Sequence, residues 1–274
     1  MTDSSLSAYK QHILNDFNNR PNYENEFHRR AASRLVELAN LRPGQRVLDI
    51  ATGTGLAAVE AAQTVGRTGY VLGTDFATGM LQQAQHKVEE LGLENIRLEK
   101  SDADTQELQK NGFDALLCSS AIVYLADIPA SLRQWHSALK TGGTLAFSCL
   151  AETSPSASVV FRAVVQKYGV IIPNPNKPLG TPERCCRMLG ATGFNQASVT
   201  TEQFGAYLHN AEAVWTGNAK SAFGLQDVSW SREKLEQCKQ AYLARIKEAS
   251  TEKGYWNDIT LFFVVAQKSR EAAA

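Results

Sequence analysis

Long hydrophobic runs are missing from this sequence. No stretch reaches the roughly 18 apolar residues that a membrane-spanning helix needs, and the opening MTDSSLSAYKQHILNDFNNR lacks the apolar segment of a secretion signal. A cytoplasmic protein is therefore expected. Excess charge of one sign is missing too, since 28 Lys plus Arg balance 28 Asp plus Glu with no block of like charges. Such a chain has no net field to gather nucleic acid or an anionic surface, which leaves a small molecule as the expected partner and the oligomeric state open. Cysteine is sparse: there are five, an odd number, with no Cys-x-x-Cys and no clustered His. That points to reduced thiols rather than a disulfide framework and argues against a metal site. The adjacent Cys185 and Cys186 read as one packed and one exposed thiol on a helix. Repeats and low-complexity segments are also absent. What remains is a chain of 274 residues, long enough for one large α/β domain and taken as a single domain over residues 1–274.

The chain is organised around residues 47–62, VLDIATGTGLAAVEAA. The apolar run Arg46–Ile50 predicts a buried parallel strand, and Leu56–Val65 the helix that follows it. In the loop between them Gly53 and Gly55 let the backbone approach a ligand where a Cβ would intrude, and Ala51, Thr52 and Thr54 are nearly as small. Gly53 to Ala58 satisfies the G-x-G-x-x-A variant of the dinucleotide fingerprint, so a nicotinamide-dependent oxidoreductase is one reading. Asp49 favours another. A carboxylate beside the crevice repels a pyrophosphate and suits a cationic ligand such as S-adenosylmethionine, which carries an ammonium and a sulfonium.

Asp49-Ile50-Ala51-Thr52-Gly53-Thr54-Gly55 resembles the acidic-x-Gly-x-Gly-x-Gly first motif of the class I S-adenosylmethionine-dependent methyltransferases, with Ala51 in place of the first glycine. Four more matches follow in order: Asp75, Asp102-Ala103, Phe113-Asp114 and Lys140 to Gly143. The resemblance covers Arg42–Ser148 closely and Thr181–Gln267 loosely, and it is nearest to the group with quinone-biosynthesis C-methyltransferases and small-molecule O- and N-methyltransferases. It implies a three-layer Rossmann-like α/β fold, S-adenosylmethionine as cofactor, Asp102 receiving the adenine amino group and the Ala103 N–H meeting a ring nitrogen. It also implies an N-terminal aromatic touching the cofactor, for which Tyr23 is the candidate. A non-catalytic cofactor-binding protein is the third reading.

The alternation of strand and helix patterns predicts a seven-stranded, mostly parallel sheet of order 3-2-1-4-5-7-6 with an antiparallel edge pair and helical lid insertions. Asp75, 20 residues beyond Gly55 at the tip of the second strand, is placed to accept from both ribose hydroxyls. Phe76 beside it and Met80 on the next helix, within reach of the adenine, complete that wall. Ser119, Ser120 and Tyr124, after the fourth strand, face the methionine part and the substrate. His136 is expected to pack structurally and Asp104 to be solvated or a cap; Asp75 in its other reading is a helix N-cap, a place that Thr78 could fill equally well.

Residues 1–42 read as an N-terminal helical lid with a loop at residues 18–23, and residues 43–150 as the cofactor-binding core. Residues 151–196 read as an insertion and helix, with helical spacing near Ser158–Tyr168 and three prolines, Pro173, Pro175 and Pro178, in a loop. Residues 197–267 supply the last strands around an aromatic loop, Tyr207 to His209, and two helices at Ala211–Ala222 and Arg232–Ser250. Lys140 to Gly143 reads as a turn, and the tail from Lys268 to Ala274 as disordered. Phe17, Tyr23, Phe27, Phe161, Tyr168, Tyr207, Trp215, Phe223 and Trp230 all fall in these additions, which points to an apolar or aromatic acceptor beneath a lid. Alignment of the reactants can supply on the order of 7–11 kcal/mol of the barrier. If a general base is used, His209 is the first candidate and His28 the second.

Overall fold

The computed structural model describes residues 7–20 and 23–269. Pro21 and Asn22 of the expected loop, and residues 270–274 of the expected tail, lie outside the described residues. The chain opens with α1 (Ala8–Asn18), whose Lys10 N–H is capped by the Ser7 hydroxyl, and α2 (Glu26–Ala39), whose His28 N–H is capped by Asn25. One stripe of α2, Ala31, Ala32, Leu35, Val36 and Ala39, is buried. The core follows as β1 (Arg46–Ile50), α3 (Leu56–Val65), β2 (Tyr70–Asp75), α4 (Thr78–Glu90), β3 (Ile96–Lys100), β4 (Phe113–Cys118), α5 (Ile128–Ala138) and β5 (Leu139–Leu150). Then come α6 (Ser156–Lys167), α7 (Pro182–Ala191), β6 (Phe194–Gln203), β7 (Ala206–Leu208), α8 (Ala211–Lys220), α9 (Arg232–Glu248), β8 (Tyr255–Asn257) and β9 (Thr260–Lys268).

Seven strands form one sheet in the order β3-β2-β1-β4-β5-β9-β6, with β1 parallel to β2 and β4, β2 parallel to β3, and β4 parallel to β5. The last strand reverses. Ser198 donates to the carbonyl of Val265 and the Phe204 N–H to that of Ile259, so residues rise along β6 as they fall along β9. This is the predicted order, with β9 as the seventh strand. Because β1 is buried from Val47 to Ile50 between two parallel neighbours, it carries Asp49 into the centre of the sheet.

Three expectations change. Lys140 to Gly143 is not a separate turn: β5 runs through it, and the register with β4 slips between Phe113 and Ala115, so a bulge absorbs the glycines. The Lys140 ammonium there sits 2.8 Å from Asp114. The aromatic loop at Tyr207 is in part a strand, because β7 pairs antiparallel with β8 and sets Tyr207 against Trp256 at 5.1 Å between ring centroids. Lys268 ends β9 instead of opening a tail, its ammonium bonded to Asn111 Oδ1 at 2.9 Å and to the Leu139 carbonyl at 2.7 Å.

By its contacts the chain forms two compact units, one of Met1–Cys149, Pro182–Thr200 and Phe262–Ala274, the other of Leu150–Thr181 and Thr201–Leu261. The second has a core of its own. Phe161 of α6, Trp215 of α8 and Tyr242 of α9 meet with centroids 5.0–6.3 Å apart, enclosed by Ala157, Val164, Val165 and Ile246. Tyr168 lies 6.2 Å from Trp230, so these insertion aromatics pack on one another. Within the first unit, Cys185 is buried and Cys186 exposed, and His136 packs edge-on to Phe194 at 5.1 Å. Among the described residues no helix is long and apolar enough to cross a membrane.

Candidate functional site

The loop from β1 to α3 is bent by left-handed backbone at three alternate positions, Ala51 at φ 53°, Gly53 at φ 56° and Gly55 at φ 80°. Its hydrogen bonds fix the bend. The Thr52 N–H donates to the Thr74 carbonyl and the Gly55 N–H to that of Thr52, both at 2.9 Å. Asp75 clamps the loop to the end of β2, accepting the Gly53 N–H at 2.9 Å on Oδ2 and the Ala77 N–H at 2.8 Å on Oδ1. Ala77 is thus the N-cap of α4, which has no side-chain cap bond; Asp75 holds the Ala77 N–H just ahead of the helix. The two glycines serve different ends. A Cβ on Gly55 would stand 3.0 Å from that of Ala84, so Gly55 lets α3 start close against α4, whereas a Cβ on Gly53 meets no protein atom within 4 Å.

Under this loop lies Asp49, 1% exposed, with Oδ2 accepting the Thr52 hydroxyl at 2.5 Å and Oδ1 without a partner. Burial pushes its carboxyl up to about 7; the nearby charge of Asp75 adds to the rise, and the Thr52 hydroxyl opposes it. A buried carboxylate oxygen with no donor is a costly feature to retain.

Above the loop opens a cavity of about 970 Å³, its open mouth included, lined entirely by residues of the first unit. Of the candidate residues, Tyr23, Ala51, Thr52, Gly53, Asp75, Phe76, Met80, Asp102, Ala103, Ser119 and Tyr124 lie on its wall, as does His28. Asp49 and Gly55 lie behind the loop and are not among the lining residues. His209 follows β7 in the second unit, is exposed, and is not on this wall.

Of the cavity face of α1, sequence reasoning named Phe17 and missed Lys10 and Ile13. Lys10, Ile13 and Phe17 line the cavity at spacings of three and four residues. Ile13 and Phe17 were legible as an apolar stripe, and Lys10 shares it, a signal masked by its charge. The Lys10 ammonium bonds Asp102 Oδ1 at 2.7 Å, pairs with Asp104, and lies 5.4 Å from the centre of the Phe76 ring. Asp104 is therefore neither solvated nor a helix cap: it takes Lys10 and the Ala126 N–H, the latter at 3.1 Å.

Farther along the same wall Tyr23 stacks on His28 at 4.3 Å, and Phe17 presents an edge to Tyr23 at 5.8 Å and to Tyr124 at 5.3 Å. His28 Nδ1 is buried without a partner. Burial lowers the His28 pKa, so the ring is neutral at pH 7, with a lone pair on one of its two nitrogens. Tyr23 and Tyr124 are raised by burial and stay protonated.

The wall fits an adenosine better than a dinucleotide. Asp75 and Asp102 offer carboxylates at two points, Phe76 and Met80 offer apolar surface, and the open Cβ position of Gly53 leaves room above the backbone. Lys10 is the one Lys or Arg among the lining residues, and two carboxylates already hold it, which leaves no free cation for a pyrophosphate.

Comparison with known proteins agrees with this chemistry. The ubiE/COQ5 methyltransferase family matches residues 22–180. Aklanonic acid methyltransferase of Streptomyces sp. strain C5 is 35% identical over 161 residues, 57% of this chain and 69% of that protein. Demethylmenaquinone methyltransferase of Staphylococcus saprophyticus is 30% identical over 143 residues, 52% of this chain and 59% of that protein. Among solved structures, the YcgJ protein of Bacillus subtilis superposes with a TM-score of 0.64 at 15% identity, over 89% of this chain and all of that one (100%). Phosphoethanolamine N-methyltransferase 2 of Haemonchus contortus in complex with S-adenosyl-L-methionine gives 0.56 at 18% identity, over 97% of this chain and 61% of that one. At these identities the structural likeness speaks for the fold.

Proposed function

The chain belongs to the ubiE/COQ5 methyltransferase family and is an S-adenosylmethionine-dependent methyltransferase, and on that premise we propose that it methylates a small, largely apolar or aromatic acceptor with His28 as general base. The observation that carries this reading is the buried, unpartnered Nδ1 of a neutral His28 on the cavity wall. The substrates in the relatives' names, aklanonic acid and demethylmenaquinone, are small molecules in keeping with it. The balanced charge supports a small acceptor over nucleic acid, and a cytoplasmic location belongs to the same proposal.

In this reading Asp75 receives the ribose hydroxyls with its remaining lone pairs, Asp102 takes the adenine amino group, and Phe76 and Met80 flank the base. Ala51, Thr52 and Gly53 present backbone to the donor, and Ser119 and Tyr124 border its methionine end. Asp49 sets the negative potential beneath the loop. S-adenosylmethionine supplies a methyl group on a positively charged sulfur, open to attack in line. His28 Nδ1 takes the proton from an acceptor hydroxyl or acidic carbon as the nucleophile forms, while the rings of Phe17, Tyr23 and Tyr124 keep water away.

Asp75→Ala should weaken donor binding by roughly 1–3 kcal/mol and speed exchange of the Gly53 and Ala77 amides, since one carboxylate holds ligand and loop together. Unchanged affinity in a folded variant, measured by titration calorimetry, would sink the ribose assignment. Labelled donor incubated with an extract of the native cells identifies the acceptor. With that acceptor, His28→Ala should lose about a hundredfold in kcat with donor affinity held. The parent rate should be flat from pH 7 upward and fall only below the lowered His28 pKa, where the base is protonated. Turnover of His28→Ala within about twofold of the parent would leave alignment as the mechanism and His28 as a packing residue.

A further inference from the structure

We propose that Lys10 is a positioning residue for the donor's adenine: its ammonium orients Asp102 and so ties α1 to the bound cofactor. The proposal rests on the reading that Asp102 receives the adenine amino group. Lys10 is 8% exposed, an unusual place for an ammonium unless it has work to do with charged partners. Its partners divide the Asp102 carboxylate in two. Oδ1 accepts both Lys10 Nζ at 2.7 Å and the Asp104 N–H at 3.0 Å, whereas no donor among the described residues faces Oδ2.

One oxygen is anchored and the other stays available on a cavity wall, the arrangement a ligand amino group requires. Without the ammonium, Asp102 and Asp104 would stand as two carboxylates two residues apart with nothing between them. Their repulsion would turn Asp102 away. Lys10 also lies 5.4 Å from the centre of the Phe76 ring, so the same ammonium braces the apolar side of the adenine site. Since Lys10 belongs to α1, whose Ile13 and Phe17 line the same cavity, the cofactor and the helix share one ion pair. Donor binding and the order of α1 are then linked in both directions.

The test is a set of donor affinities, by titration calorimetry with S-adenosylmethionine on the full chain, for Lys10→Met, Lys10→Arg, Asp102→Asn and the double variant Lys10→Met/Asp102→Asn. Asp102→Asn and Lys10→Met should each weaken binding about tenfold, Lys10→Arg should keep most of the affinity, and the double variant should bind no worse than Asp102→Asn alone. Hydrogen exchange supplies the second readout: the donor should protect the α1 amides in the parent and not in Lys10→Met. If Asp102→Asn weakens binding and Lys10→Met does not, the Lys10 proposal fails and the adenine reading stands. Parent affinity in Asp102→Asn sinks the adenine reading itself. Equal losses that add in the double variant would make Lys10 a purely structural residue, which also overturns the proposal. Should Lys10→Met fold poorly, Lys10→Arg and the donor-dependent protection of α1 in the parent still decide it.

Discussion

Gly53→Val should remove measurable binding of S-adenosylmethionine from a protein that still folds. Gly53 stands at φ 56°, where an L-residue costs about 1–2 kcal/mol and a β-branched one is least at ease. That strain is moderate against the stability of a domain. A Cβ there touches no protein atom within 4 Å, so the first carbon of the new side chain meets open space. The added carbons occupy space beside a backbone segment that lines the cavity. A ligand packed on that backbone loses its place, and the affinity loss should be about a hundredfold or more. Gly53→Ala separates the terms, since it carries the backbone strain with one methyl in place of three carbons. Calorimetry gives the affinity and thermal melting the fold. A folded Gly53→Val protein with parent affinity would mean that the donor does not sit on this loop.

Asp49→Asn should move stability and binding in opposite directions. The buried Asp49 carboxyl titrates near 7 in the folded chain against an ordinary value of 3.8, so the native state holds its proton through a range where the unfolded chain has lost it. Stability from this group therefore falls as pH rises from 3.8 toward 7. Asparagine keeps an acceptor for the Thr52 hydroxyl and cannot ionise. The variant should melt higher than the parent at pH 8 and alike at pH 4. Donor binding should do the reverse: the parent should bind the cationic donor more tightly as pH rises through about 7, releasing a proton, and the variant should be weaker by roughly tenfold at pH 8 and independent of pH. Equal affinity of the two proteins at pH 8 would remove Asp49 from the donor's electrostatics and leave it a folding residue.

The cofactor half of the site was legible in the sequence because its determinants are local. Asp49 and Asp75 lie within β1 and β2 near their carboxyl ends, Gly53 and Asp102 just beyond β1 and β3, and parallel strands deliver their carboxyl ends to one edge of the sheet. The order of that sheet followed from the alternation of elements through the fifth strand together with two last strands that have the spacing of the antiparallel pair the resemblance implies. Elements that depend on distant partners were hidden. β7 and β8 are three residues each and pair across about fifty residues of chain, with Tyr207 against Trp256 at the centre. The bulge in β5 looked like a turn because glycines serve both. Lys10 was passed over because a cation on an amphipathic helix normally points to water, and only its proximity to Asp102 and Asp104, more than 90 residues away, makes it a cavity residue. The two histidines show the same limit: loop position favoured His209, while the fold brings His28 to the cavity through its stack on Tyr23.

The measurement closest to the central claim is a pair of calorimetric titrations of the full chain, one with S-adenosylmethionine and one with NAD, each repeated on Gly53→Val. Saturable one-to-one binding of S-adenosylmethionine that the substitution abolishes, with no heat from NAD, is the predicted result; binding of NAD at that site, or of S-adenosylmethionine with equal affinity to the parent and to Gly53→Val, would contradict it.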